Sequence, residues 1–350
     1  MLSQWIARAG HYGQTGATRI NALDGWRGIA IAIVLLSHFG TFAYFLPFER
    51  VVLGRMGVDF FFVLSGLLMS NILFVKRTPL KVFYQRRISR IFPVFIVFVT
   101  VIYGMGWWLG KQEAGNYLST LTFLRSYIPA EPSIWRTDLP VAHIWSLNVE
   151  EHCYILLSLI TLIGALRYRE YLVLFMIAFA SIALRYLYIR FPEWTTDEFG
   201  LRTETAAAHL MLSAGYFLIR DRMAPHVPSW LPVLALMGGI ACYSLYAPWF
   251  ASWAVAPFAF AFAVNHLEQA PRWFNAMLSF RPLQLLGIWS YSIYLWQEPF
   301  YRASETGLLS FPGQSLVFLA GAFVVGLVSF YALENPVRRF LNDRYSGVTG

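Results

Sequence analysis

The chain has 350 residues, 57% hydrophobic and only 13% charged, about half the charged share of an ordinary globular domain. A bilayer-spanning helix takes about 20 predominantly apolar residues, so the composition fills roughly ten spans and leaves too little chain for a soluble catalytic domain of ordinary size. Soluble-enzyme, disordered and fibrous classes are excluded, and the formal charge of +8 reflects Lys and Arg in cytoplasmic loops rather than nucleic-acid binding.

Residues 1–20 hold no apolar core of a cleavable signal and read as a cytoplasmic tail. Apolar runs between charged or Pro/Gly-rich breaks follow at 23–47, 57–75, 91–109, 141–165, 171–189, 203–219, 230–247, 249–267, 283–301 and 314–333. The seventh and eighth meet in a tight helical hairpin at Ala247-Pro248-Trp249, and 111–140 is the longest connection. Residues 337–350 read as a second cytoplasmic tail, which makes 21–336 the membrane-embedded domain. With the N-terminus inside, the inner segments carry seventeen Lys and Arg and the outer ones eight, the sense of the positive-inside rule. Cys153 and Cys242 both fall in apolar runs, so no disulfide framework is indicated. The predicted fold class is all-α: a polytopic membrane helix bundle of about ten transmembrane helices with both termini cytoplasmic.

An ionisable side chain at the bilayer centre costs about 2.5–3.5 kcal/mol on insertion scales, so each one inside a run calls for an account. In the first run Arg27 and His38 are eleven residues apart, three turns plus about 20°, hence on one helix face and about 16.5 Å apart along the axis. Asp24 at i−3 is close enough to pair with Arg27. Arg27 either snorkels to the inner interface or serves a site; His38 either bonds a neighbouring helix or moves a proton near neutral pH. The second run brings Asp59 near its outer end and Ser65-Gly66 roughly level with His38; a Ser-Gly pair ordinarily marks a close helix contact.

The loop 76–90 carries six positive charges and no acidic residue. Topology and anionic headgroups explain such a loop, and so does a phosphate-rich cytoplasmic ligand gripped by arginine forks. The fourth run begins His143-Ile-Trp145-Ser146-Leu-Asn148-Val-Glu150-Glu151-His152. Consecutive helical residues point about 100° apart, so one of Glu150 and Glu151 faces a cavity while the other ties the helix to a neighbour. The spacing is not that of a zinc motif, and no metal is expected. The ninth run turns polar at Ser290, Tyr291, Ser292, Tyr294, Gln297 and Glu298. His209 and Glu334-Asn335-Pro336 read as structural, the latter as a helix terminus.

Together these segments are identifiable. Leu23-Asp-Gly-Trp-Arg-Gly28 with His38 eleven residues past Arg27, Gly57-Val-Asp-Phe-Phe-Phe-Val-Leu-Ser-Gly66, Arg86-Arg-Ile-Ser-Arg90, His143-Ile-Trp-Ser-Leu-Asn-Val-Glu-Glu151, Ser290-Tyr-Ser-Ile-Tyr-Leu-Trp296 and Glu334-Asn-Pro336 resemble, in order, the acyltransferase-3 family of integral membrane O-acyltransferases. Gln297 stands where many members have histidine, and His152 replaces a common glutamine. The chain ends just after the last run, without the esterase-like domain fused to some members, and reads as a stand-alone membrane module.

The resemblance implies transfer of an acyl group, usually acetyl, from cytoplasmic acyl-coenzyme A (acetyl-CoA) to a hydroxyl of a glycan or lipid-linked saccharide across the bilayer of the inner membrane. His38 is then the expected general base, with Arg27, about three turns below it, and Asp24 as the other expected catalytic residues. Arg86, Arg87, Arg90 and Ser65 are expected to hold the coenzyme. Asp59, His143, Trp145, Ser146, Glu150, Glu151, Tyr291, Tyr294, Gln297 and Glu298 are expected to line the acceptor path. A covalent relay through His38, Ser37 or Ser65 stays open. The competing reading is a proton-coupled transporter using His38, Glu150 and Glu151 as a proton path.

Overall fold

Long apolar runs form helices because a buried or lipid-facing backbone must satisfy its own polar groups, and every described part of the ten runs contains helix. The structure, a computed structural model, describes residues 21–40, 50–111, 115–129, 131–196, 198–306 and 313–346; the predicted N-terminal tail and the end of the first run lie outside them. The helices are α1 (Asn21–Phe39), α2 (Arg50–Ser70), α3 (Leu80–Trp108), α4 (Tyr117–Leu121), α5 (Ile144–Leu162), α6 (Glu170–Arg190), α7 (Thr203–Ala206), α8 (Ala208–Met223), α9 (Leu231–Ala241), α10 (Ala256–Asn265), α11 (Arg272–Leu278), α12 (Arg281–Glu305), α13 (Gln314–Ser329) and α14 (Asn335–Ser346). No strand occurs among the described residues.

The protein is a multi-pass membrane protein: five helical stretches are long and apolar enough to cross a bilayer, Asn21–Phe39, Val52–Val75, Leu80–Trp108, Glu170–Arg190 and Gln314–Arg344. Helices α5 and α12, with 19 and 25 residues, have the length but are made more polar by their own motifs. In spatial order α13, α12, α1, α2 and α8 pack side by side, and α8 also meets α6 and α10. The glycines of the first motif have a steric reason. A Cβ on Gly28 would lie 2.1 Å from the Leu283 carbonyl oxygen, and one on Gly287 would lie 1.8 Å from that of Asp24. Backbones of α1 and α12 therefore touch, the small-residue contact typical of membrane helices. Trp26 locks α1 to α2, its indole N–H donating to the Phe60 carbonyl at 3.0 Å and its ring stacked on Phe60 at 4.8 Å.

One boundary differs from expectation. Glu334-Asn335-Pro336 does not end the last helix: a π turn at Phe330–Glu334 joins α13 to α14, which runs to Ser346. A π turn widens the ladder, and Pro336 then sits at the first turn of the next helical segment, where its missing N–H is tolerated. Much of the predicted tail is thus helix, tied to α3 by Ser89 Oγ donating to Asn342 Oδ1 at 2.9 Å. Glu334 is buried and accepts from Ser292 at 2.7 Å, the structural role expected of it.

Candidate active site

Helices α1, α2, α3, α5 and α12 line an open-sided cavity. Arg27, Ser65, Arg87, Arg90, Glu150 and Tyr294 line it, one or two from each helix. The two glutamates diverge as the 100° step requires. Ser65 Oγ donates to Glu150 Oε1 at 2.6 Å on the cavity wall, whereas Arg87 donates to Glu151 Oε1 at 2.9 Å and ties α3 to α5. The Arg87 guanidinium also lies 3.6 Å over the Tyr154 ring. Arg27 pairs with Asp24 at 2.9 Å, as its i−3 spacing predicts. Residues 80–90 of the predicted loop are the start of α3; Arg86 there is exposed and is not among the lining residues, whereas Arg87 and Arg90 are.

Toward the other end the cavity closes on Tyr294 and Ser146. The Tyr294 hydroxyl donates to the His143 carbonyl oxygen at 3.0 Å and lies 2.7 Å from Ser146 Oγ. Tyr291 binds the Ile91 carbonyl at 2.8 Å and fixes α12 to α3. His38 is not among the cavity's lining residues. It belongs to the next layer, with Gln297 three residues past Tyr294 on α12, a rise of about 4.5 Å. His38 Nδ1 is 2.6 Å from Gln297 Oε1, and its ring stacks on Tyr301 with centroids 4.2 Å apart and planes 10° apart. The Gln297 amide N–H donates to Glu298 Oε2 at 3.4 Å. His143 Nδ1 is 3.8 Å from the same Glu298 oxygen, and neither of its buried ring nitrogens makes a hydrogen bond. Three helices thus converge on His38, Gln297, Glu298 and His143.

Two expected site residues lie elsewhere. Asp59 is six positions before Ser65, about 120° around α2, and only 1% exposed. It accepts from Arg55 at 3.3 Å and from Tyr243 at 2.7 Å, with His209 Nδ1 at 3.4 Å. Trp145 carries Arg55 over its ring at 4.5 Å, on the side of α5 that Asp59 approaches. Among the described residues no His, Cys, Asp and Glu side chains group as a metal site.

A family model described as an acyltransferase domain matches residues 20–334. The chain belongs to the acyltransferase-3 family. It is similar to the peptidoglycan O-acetyltransferase OatA of Listeria monocytogenes, 24% identical over 92% of this chain. It is also similar to the O-acetyltransferase OatA of Staphylococcus aureus, 22% identical over 91% of this chain. The chain spans 57% of the length of each of these relatives. No solved structure matches it.

Two further residues of the candidate site, Tyr154 on the cavity wall and Tyr301 against His38, were legible in the sequence and were not singled out. Tyr154 is i+4 from Glu150, and Tyr301 is i+4 from Gln297, so each shares the face of a residue already singled out. His152 takes a tying role instead: its Nδ1 is 2.8 Å from Thr203 Oγ1, which joins α5 to α7.

Proposed function

We propose that the chain transfers an acetyl group from cytoplasmic acetyl-coenzyme A to a hydroxyl of a glycan or lipid-linked saccharide on the opposite face of the inner membrane. Ten spans with both termini cytoplasmic carry the reaction, and the Lys and Arg asymmetry sets the Arg87–Arg90 end inside. The observation that carries this reading is a set of polar groups at successive levels across apolar helices. Arg27, Arg87 and Arg90 stand at one end, Ser65 and Glu150 on the wall, Tyr294 and Ser146 at the top, and His38 one turn beyond.

Each layer has a chemical use. Guanidinium groups match phosphate geometry, and Arg27, Arg87 and Arg90 line the same open-sided cavity. The coenzyme's phosphates rest against Arg90 and Arg27, with Arg87 held in place by Glu151. The acyl end points toward Tyr294, about 16.5 Å of helix axis separating the levels of Arg27 and His38. His38 takes the proton of the acceptor hydroxyl as a general base. The hydroxyl oxygen bonds to the acyl carbon, the carbon–sulfur bond breaks, and the thiolate leaves to be protonated. The products are an oxygen ester and the free thiol.

Purified protein in proteoliposomes, given radiolabelled acetyl-coenzyme A outside and a pool of membrane glycans inside, tests the reading. Label is expected in the glycan fraction, and His38→Ala is expected to lower the rate at least 10³-fold. A stably inserted His38→Ala protein with the normal rate removes the base role. Arg90→Gln is expected to raise the donor KM about tenfold, the equivalent of about 1.4 kcal/mol, with the acceptor KM unchanged. Arg86→Gln changes neither by more than twofold, because Arg86 points away from the cavity.

A further inference from the structure

The layer around His38 carries more order than an acceptor path needs. Gln297 is 0% exposed and Glu298 3%, so neither presents a face to solvent for a saccharide to grip. Their hydrogen bonds run in one direction instead. The amide nitrogen of Gln297 can only donate, and it meets Glu298 Oε2 at 3.4 Å. That contact turns the amide so that its oxygen, Oε1, faces His38 Nδ1 at 2.6 Å. An amide oxygen can only accept, so the hydrogen between them belongs to Nδ1. A neutral imidazole carries one hydrogen, which puts the lone pair of His38 on Nε2. The ring is held against rotation by Tyr301, stacked at 4.2 Å. The Nε2 edge faces Gly54 of α2, where an added Cβ would stand 3.9 Å from Nε2 and 2.7 Å from Ser37 Oγ.

We infer that Glu298 and Gln297 are positioning residues that fix the tautomer and orientation of His38, with Glu298 setting the amide and the amide setting the imidazole. The inference rests on the base role proposed above and replaces the expectation that these two residues bind the acceptor. It also accounts for a carboxylate that touches no substrate path. A base whose lone pair is already on the reacting nitrogen needs no tautomer exchange before each turnover. After His38 takes the acceptor proton on Nε2, the amide oxygen stabilises the imidazolium by accepting from Nδ1–H, as it does in the neutral form. Gln297 thus takes the orienting place that a carboxylate occupies in hydrolase triads, without adding a second negative charge to the layer.

The test separates positioning from acceptor binding. Gln297→Met keeps the side-chain volume and removes the acceptor oxygen; Gln297→Glu restores an oxygen facing Nδ1. In proteoliposomes Gln297→Met is expected to lower kcat about 10²-fold with donor and acceptor KM within threefold of wild type, and Gln297→Glu to recover at least tenfold of that loss. Independently of turnover, ¹⁵N spectra of histidine-labelled protein in bilayers, with the His38 signal assigned by its loss in His38→Asn, are expected to show the Nδ1–H tautomer. That signal should shift to a mixture in Gln297→Met. A rise in acceptor KM with kcat unchanged, or an Nε2–H tautomer in the wild type, overturns the inference. If His38→Ala abolishes transfer while Gln297→Met does not lower kcat, the positioning role falls and the base role stands.

Discussion

Helix α2 meets a carboxylate on each of two faces, its own Asp59 on one and Glu150 of α5 on the other, and the two faces are built differently. On one, Ser65 donates to Glu150 on the wall of a cavity that also exposes Arg27, Arg87 and Arg90. On the other, Asp59 is enclosed by Arg55, Tyr243 and His209 and is not among the residues that line this cavity. Both faces place a carboxylate among apolar helices. What differs is closure: Asp59 has its acceptor capacity filled by three side chains from α2, α8 and the segment after α9, whereas the Glu150 face leaves room beside its polar groups. Buried charge marks a place that needs an account, and open volume beside it distinguishes a ligand site from a strut.

The largest expected effect tests the closed face. Asp59→Ala leaves Arg55, Tyr243 and His209 without their shared acceptor, and breaking such a buried pair costs about 3–5 kcal/mol. The thermal unfolding midpoint in detergent should fall accordingly, while acetyl transfer per folded molecule stays within threefold of wild type. Lost turnover at an unchanged midpoint would move Asp59 from strut to site. Ser65→Ala, one face away, is expected to do the reverse. It removes one donor to Glu150, a loss of about 1–3 kcal/mol at most, and lowers kcat/KM for the acyl donor about tenfold. Equal behaviour of the two variants would erase the distinction.

This contrast shows where the sequence was sufficient. Apolar runs located the long apolar helices, because a run of that length has no other way to satisfy its backbone, but not α4, α11 or α14, which lie between or beyond the runs. The divergence of Glu150 and Glu151, and the pairing of Asp24 with Arg27, followed from 100° per residue alone. Asp59 was placed with the acceptor because a carboxylate in an apolar run announces burial without saying against what. Its partners Tyr243 and His209 are 184 and 150 positions away in the chain, and local periodicity cannot see them. Arg86 is a related case: a count of charges over 76–90 does not tell which of three neighbouring arginines on α3 line the cavity. Gln297 was read by its type as a hydrogen-bonding residue facing substrate. Its contact with His38 at 2.6 Å joins residues 259 positions apart, on helices α1 and α12 that touch backbone to backbone through Gly28 and Gly287, and local periodicity cannot see it.

The smallest expected effect concerns how the connection after α4 is tied to the helices behind Asp59. Tyr127 donates to Glu204 Oε2 at 2.6 Å and accepts from the Thr203 amide at 3.0 Å, and Arg202 lies 5.3 Å over its ring. Burial, reinforced by the hydrogen bond to Glu204, pushes the Tyr127 phenol up from 10.0 to about 12. The folded state therefore holds this proton more tightly than the unfolded chain does, so the tie stabilises fully below pH 10 and is lost as pH rises through about 12. Tyr127→Phe removes the hydroxyl and should cost about 1 kcal/mol at neutral pH. It should also flatten the part of the midpoint's decline between pH 10 and 12 that wild type owes to this group. The variant should leave donor kinetics and the His38 tautomer unchanged, because Tyr127 belongs with Thr203 and Glu204, on the strut side of the comparison. An altered donor KM in Tyr127→Phe would show that the connection after α4 bears on the cavity, and the two faces of α2 would then be mechanically coupled rather than separate.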